Sequence, residues 1–219
     1  MTWYISALPQ LLVSGPVVLL IRHAERGPIT DPTMGHDVPL TDRGREAAEA
    51  TGRAVGAAAQ GLGRVVVAHS PVPRCEETAR RIARGAETSG ANTSALGARG
   101  HLGGPYLLHT KEALELMRDH GAHFMRRWFE GALPTDLLSP TTAAANHQVD
   151  AALHVAQPDA AVTVLVTHDL NVMLVRETLF GVRHEDLGWV DFLDGVALVH
   201  RPRTARYRGW TVDLRGPTG

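Results

Sequence analysis

The run VVLLIRHAERGP, residues 17 to 28, decides the fold, because an unbroken apolar segment ends abruptly in Arg22, His23, Glu25 and Arg26 before Pro28 stops it. Val17 to Ile21 show no polar alternation, which is the pattern of a strand buried on both faces in a parallel sheet covered by helices. In open α/β sheets, ligands bind where strands reach their carboxyl ends. Two arginines and a histidine at such an edge predict an anion pocket.

The pattern recurs twice downstream. Arg64 introduces VVVAHS, a β-branched run that ends in Ser70, Pro71, Val72, Pro73 and Arg74, and AVTVLVTHDL ends in Thr167, His168 and Asp169. Helices are predicted between and after them. Thr41 is the expected N-cap of the first, with Asp42 favourable toward the helix dipole. Ala47, Ala48, Thr51, Ala54, Val55 and Ala58 form its apolar stripe, and Gly61 and Gly63 end it. CEETARRIARG reads as the next helix, closed near Gly85. A helix is expected from about Leu170 to Phe180 and another over Thr141 to Val155, and Ala113, Leu116, Met117, Phe124, Trp128 and Phe129 predict one or two more. A short strand is expected near Ala95 to Ala98. VALVHR and RYRGWTVDL read as closing strands, paired antiparallel through the turn between them. Strand and helix in alternation predict a three-layer α/β/α sandwich with a mostly parallel central sheet.

At 219 residues, 44% hydrophobic and 21% charged, the chain is long enough to bury roughly 70% of its unfolded surface in one core. A single domain, 1–219, is expected, with residues 1–16 as an irregular N-terminal arm. That arm lacks the basic residues of a secretory signal, and Pro9, Gln10 and Ser14 interrupt any membrane span. A formal net charge of -1 excludes a broad nucleic-acid or membrane surface, although Lys111 is the only lysine among 22 basic residues. The lone Cys75 allows no intrachain disulfide, and together with the missing signal this points to a cytoplasmic location.

The polar strand ends gather Arg22, His23, Arg26, Arg74, His168 and Asp169. In RHAERGP after the first strand, LTDRG at the next helix, SPVPRCEETA after the second strand and THD after a later one, the chain resembles the histidine phosphatase superfamily. The resemblance implies a phosphoglycerate mutase-like fold and phosphoryl transfer through a phosphohistidine. The nucleophile then maps to His23, while Arg22, Arg74 and His168 hold the phosphoryl oxygens and Arg26 adds a substrate contact. Fixed, always charged guanidinium donors suit a transition state whose charge spreads over equatorial oxygens. RHAERGP matches the acid phosphatase-like pattern RHGxRxP at Arg22, His23, Arg26 and Pro28, with Ala24 in place of the usual glycine, and His168 with Asp169 matches its HD. Asp169 is therefore the expected proton donor, with Glu25 and Glu112 as rivals.

Simpler roles compete with these. Asp169 suits a helix N-cap, Arg26 a salt bridge, and Cys75 a small buried position. His120 and His123 suit a solvated helix face, so no metal site is expected, and no cofactor, since the arginines take the part magnesium would play. The arginines should lower the pKa of His23 and of Asp169, with acid competence at Asp169 returning when a phosphate dianion binds. The expected activity is hydrolysis of a small phosphorylated metabolite, chosen by the loop Gly27 to Pro39 and the segment Gly97 to Leu116. A phosphoprotein or phosphohistidine phosphatase is the second reading and a non-catalytic phospholigand-binding module the third. Mutase activity is disfavoured, because RHAER lacks the serine and asparagine of mutase-like members.

Overall fold

A computed structural model describes residues 2–29 and 35–214. Helices and strands alternate through most of the chain: α1 (Trp3–Val13), β1 (Val17–Arg22), α2 (Asp42–Ala59), β2 (Arg64–His69), α3 (Pro73–Thr88), β3 (Thr93–Ala98), α4 (Thr110–His120), α5 (Phe124–Phe129), α6 (Thr141–Val155), β4 (Ala160–Thr167), α7 (Asp169–Phe180), α8 (His184–Leu187), β5 (Gly195–Val199), β6 (Thr204–Tyr207) and β7 (Trp210–Asp213). The strands form one sheet in the order β3-β2-β4-β1-β5-β6-β7. The first four are parallel, and β5, β6 and β7 extend the sheet by antiparallel pairing. β4 lies between β1 and β2, in register Leu20↔Leu165 and Val67↔Val164, so three polar strand ends come out side by side.

Alternate residues of the central strands feed two cores. Val17, Leu19, Ile21, Val65, Val67, Val162, Val164 and Val166 pack with residues of α1, α2 and α3 on one face. Val18, Leu20, Ala68 and Leu165 pack with α4 to α7 on the other. The expected three-layer architecture follows from this double burial, which the uninterrupted apolar strands anticipate.

Three local expectations are corrected. Residues 3–13 are helical rather than irregular, since Tyr4, Leu8, Leu11 and Leu12 recur at helical spacing and are buried, and one missing N–H at Pro9 is outweighed by that packing. Gly85 does not close α3 but lies inside it. A Cβ at Gly85 would sit 2.1 Å from Glu49 O, and one at Gly52 would sit 2.1 Å from Ile82 O, so these glycines let α2 and α3 touch backbone to backbone. RYRGWTVDL is not one strand but the hairpin β6–β7, turned at Arg208 and Gly209, with Arg208 at positive φ.

Candidate active site

β1 ends in Arg22 and delivers His23 into the interior, where they are 7% and 2% exposed. His23 Nδ1 lies 2.8 Å from Ala24 O, a carbonyl with no proton to give, so Nδ1 carries the ring hydrogen and Nε2 keeps its lone pair. Arg74 Nε, at the start of α3, donates to that Nε2 at 3.1 Å. Arg74 Nη2 lies 3.5 Å from His168 Nδ1, and the rings of His23 and His168 are 5.8 Å apart. Residues separated by 51 and 94 positions thus enclose one pocket, as the three strand ends predict.

Arg22 is held from two sides. Its Nη1 donates to Val190 O at 2.6 Å, and its Nη2 pairs with Asp169 Oδ2 at 3.1 Å. The Nε atoms of Arg22 and Arg26 are buried with no hydrogen-bond partner among the described residues. Arg26 Nη1 donates to Gly27 O at 2.8 Å, and its charge lowers the pKa of both Arg22 and Arg74, so it belongs to the same positive field. Against these three guanidinium groups stand Asp169, which touches Arg22, and Asp191, which acts on Arg22 through its charge. Such a surplus of partly buried positive charge favours an anion in the pocket.

Burial is the main reason both histidines are neutral. It drives His23 down to about 3 and His168 to about 4, and the guanidinium charges, expected from sequence to lower His23, add to it in both rings. For Asp169 burial acts upward but loses to Arg22, to the Trp189 indole N–H at 3.0 Å and to lesser causes, so its pKa lies below the ordinary carboxylate value. Asp169 Oδ1 also accepts from Leu170 N at 3.0 Å. The rival carboxylates are engaged or outside: Glu25 accepts from Thr41 Oγ1 at 2.9 Å and faces Arg43, and Glu112 is exposed in the first turn of α4.

Local signals account for the motifs. Thr41 caps α2 by accepting from Gly44 N, and a Cβ at Gly44 would meet Glu25 O at 2.1 Å, which explains Thr41 and Gly44 within LTDRG. Thr78 Oγ1 accepts from Ala24 N and donates to Arg74 O, tying the loop after His23 to α3. The Ala24 methyl, a departure from the family pattern, sits fully buried in the core cluster shared with α3. Cys75 is buried and its thiol is pushed up to about 12 by desolvation, consistent with a packing role. Arg74 Nη1 donates to Gly35 O and His36 O, so the loop Gly27 to Pro39 reaches the pocket, though its residues 30–34 lie outside those described.

Sequence reasoning missed the strap between α8 and β5. Phe192 lies 4.0 Å beneath the Arg22 guanidinium and 5.7 Å from His23, and Trp189 bonds Asp169. The strap is pinned by Arg176 at Gly188 O, Arg22 at Val190 O and Tyr4 at Leu193 O. GWVDFLDG has no periodicity that would have singled it out. A cavity of about 630 Å³ is lined by Glu25, Arg43, Phe192 and Leu193 among others, but by none of Arg22, His23, Arg74 and His168. Outside the pocket, Glu177, His184 and Glu185 bring ligand atoms within 4.8 Å of one another, yet Arg126 already bridges both carboxylates at 2.6 Å. His120 and His123 join no three-ligand cluster among the described residues. No helix of the described residues is long and apolar enough to cross a membrane.

The family model for the histidine phosphatase superfamily (branch 1) matches residues 18–208. Among solved structures, the chain is similar to the product of an open reading frame of Mycobacterium tuberculosis, with 20% identity, TM-score 0.51 and coverage of 91% of this chain and 98% of that one. It is also similar to a mycobacterial glucosyl-3-phosphoglycerate phosphatase (15% identity, TM-score 0.50, 87% and 89% covered). A third is a phosphoserine phosphatase of Entamoeba histolytica, solved with phosphoserine (17% identity, TM-score 0.50, 85% and 91% covered). At these identities the likeness concerns the fold. No curated protein matches this chain in sequence.

Proposed function

The chain belongs to the histidine phosphatase superfamily, and from that premise we propose that it is a phosphomonoester hydrolase that works through a phosphohistidine at His23 on a small phosphorylated metabolite. The observation that carries this reading is the pairing of a lone pair on His23 Nε2 with the Arg74 Nε donor at 3.1 Å, inside a pocket with surplus positive charge.

In the proposed reaction the phosphoryl oxygens lie among the guanidinium groups of Arg22, Arg26 and Arg74 and the ring of His168. Arg74 leaves Nε2 as the substrate enters, and the Nε2 lone pair forms the N–P bond while the ester P–O bond breaks in line. The leaving oxygen takes a proton from Asp169. Water then attacks phosphorus, giving its proton to Asp169, and the N–P bond breaks to release phosphate and neutral His23. Asp169 is the carboxylate whose charge reaches Arg22, Arg74 and His168 together, which favours it over Glu25 and Glu112 as the donor. The matching model is that of the superfamily's branch 1, not of its acid phosphatase-like members, so the choice of Asp169 rests on this chain's own geometry. The field of the pocket keeps Asp169 ionised when free, so its acid form belongs to the complex, where a dianion offsets the arginines.

Incubation with para-nitrophenyl phosphate at pH 5 to 8 tests the reading. Nitrophenol release is expected, abolished in His23→Ala and lowered on the order of a hundredfold in Arg74→Ala, which removes a preorganised donor. Acid quench of a radiolabelled phosphate ester should trap label on His23. Absence of turnover by the wild type, with vanadate still bound, identifies a phospholigand-binding module instead. Hydrolysis confined to phosphoproteins within a panel that includes phosphometabolites sinks the small-substrate part.

A further inference from the structure

The N–H groups that reach Asp169 are divided unequally between its oxygens. Oδ2 accepts from Arg22 Nη2 at 3.1 Å and from the Trp189 indole at 3.0 Å, whereas Oδ1 accepts from Leu170 N alone among the described residues, at 3.0 Å. A carboxylate oxygen offers about two lone-pair sites, so Oδ2 is filled and Oδ1 keeps one free. The indole is half-exposed, yet the backbone on either side of it is fixed: Arg176 donates to Gly188 O at 2.9 Å and Arg22 to Val190 O at 2.6 Å. Both arginines are buried. The ring of His184, itself faced by Glu177 and Glu185, stands edge-on to the indole with centroids 5.9 Å apart. The indole N–H is thus aimed before any substrate arrives.

We infer that Trp189 is a positioning residue for the proton transfer: with Arg22 it reserves Oδ2 as the carbonyl oxygen of the acid form and so places the transferable proton on Oδ1. The inference rests on the proposed function, which makes Asp169 the proton donor. A protonated carboxyl has one C=O oxygen, which accepts two N–H groups, and one O–H oxygen with less capacity to accept. A proton on Oδ2 would displace Arg22 or the indole, while one on Oδ1 takes the free lone pair and disturbs neither. In the step itself the Oδ1–H bond breaks as the leaving oxygen takes the proton, and the carboxylate left behind is held by the same donors. Removing the indole N–H frees the carboxyl to turn about its Cβ–Cγ bond and offers the proton to either oxygen. The same N–H is one of the causes that keep Asp169 below the ordinary carboxylate value, so its loss should favour the acid form while spoiling its aim. The charged and titratable groups acting on Asp169 are Arg22, His23, Arg74, Cys75, Tyr106 and His168. The histidines lie at about 3 and about 4, the thiol at about 12 and the phenol above its ordinary range, so none of them titrates near neutrality.

The experiment compares the wild type, Trp189→Phe, Trp189→His and Asp169→Asn on an alkyl phosphate and on para-nitrophenyl phosphate, with kcat followed from pH 5 to 8 and a thermal melt as a check on folding. Phenylalanine keeps an aromatic ring without the N–H, whereas histidine places Nε2 where the indole carries Nε1. In Trp189→Phe, kcat on the alkyl ester should fall about tenfold, the size of a lost hydrogen bond to a charged group, with KM little changed and the aryl rate falling far less. The basic limb of its kcat profile should move to higher pH, because the acid form then persists further. Trp189→His should recover most of the alkyl rate. A folded Trp189→Phe protein that loses both rates alike, or neither, overturns the inference, as does a Trp189→His protein no faster on the alkyl ester than Trp189→Phe. Those results beside unequal losses in Asp169→Asn leave the proposed function standing. Equal losses in Asp169→Asn overturn the donor assignment and the task given to Trp189 with it, and a wild type that turns over neither ester overturns the proposed function as a whole.

Discussion

His23 and His168 share a pocket, and Arg74 reaches both rings. A backbone carbonyl fixes the hydrogen of His23 on the nitrogen facing away from Arg74, which leaves a lone pair on the nitrogen that faces it. Neutrality is imposed on both mainly by burial, so neither ring should protonate near its ordinary value of 6.5. Asp169 is the opposite case, an anion supported by Arg22, the Trp189 indole and the Leu170 N–H. If it also serves as the acid, Asp169→Asn should slow turnover of alkyl phosphates by on the order of a hundredfold, and activated aryl phosphates far less, because nitrophenolate departs without a proton. Equal losses on the two substrate types identify Asp169 as an orienting partner of Arg22 and nothing more.

At the scale of elements, the glycines of α2 and α3 do work that helix propensity cannot foresee. In an exposed helix interior, alanine in place of glycine stabilises by about 1 kcal/mol. At Gly85 the sign should reverse, since the new methyl would lie 2.1 Å from Glu49 O and push apart α2 and α3, the second of which carries Arg74 to the pocket. Gly85→Ala is expected to lower stability by about 1–3 kcal/mol, the range for overpacking a close contact. Urea denaturation reads it directly, and a variant as stable as the wild type contradicts the backbone contact. α1 shows the same dependence on context. Its Tyr4 hydroxyl donates to Leu193 O at 2.6 Å and its Trp3 indole to Gly195 O at 3.0 Å, so the segment expected to be an irregular arm braces the strap that carries Phe192.

For the molecule as a whole, the buried histidines set the response to acid. Their folded pKa values, about 3 and about 4, lie below the unfolded value near 6.5, so the unfolded chain binds more protons and stability falls as pH drops through 6.5 toward 4 and then 3. Each ring should cost about 2 kcal/mol at pH 5 relative to pH 7. Carboxylates with lowered pKa values, Asp169 and Glu185 among them, contribute stability that is lost only at lower pH, so the window from 6.5 to 5 isolates histidine. Chemical denaturation at pH 7 and pH 5 should show the loss, and His168→Asn should remove part of it. Saturating phosphate or vanadate should raise the melting temperature, because the ligand binds only the folded pocket.

The sequence by itself determined the layered α/β architecture, the three strand ends that converge and the basic and histidine side chains that meet there, because burial on both faces writes an uninterrupted apolar run and its end is marked by polar residues. The Thr41 cap and the helices over 141–155 and 169–180 were legible for the same local reason. Only the tertiary structure decided which nitrogen of the His23 ring holds its proton, that Asp169 is locked to Arg22 and Trp189, that Gly85 is a contact rather than a stop, and that α1 and the strap close the site. Each of these depends on an atom brought from far along the chain to within about 3 Å, and periodicity reports how a segment meets the core, not which distant donor or acceptor it will find there.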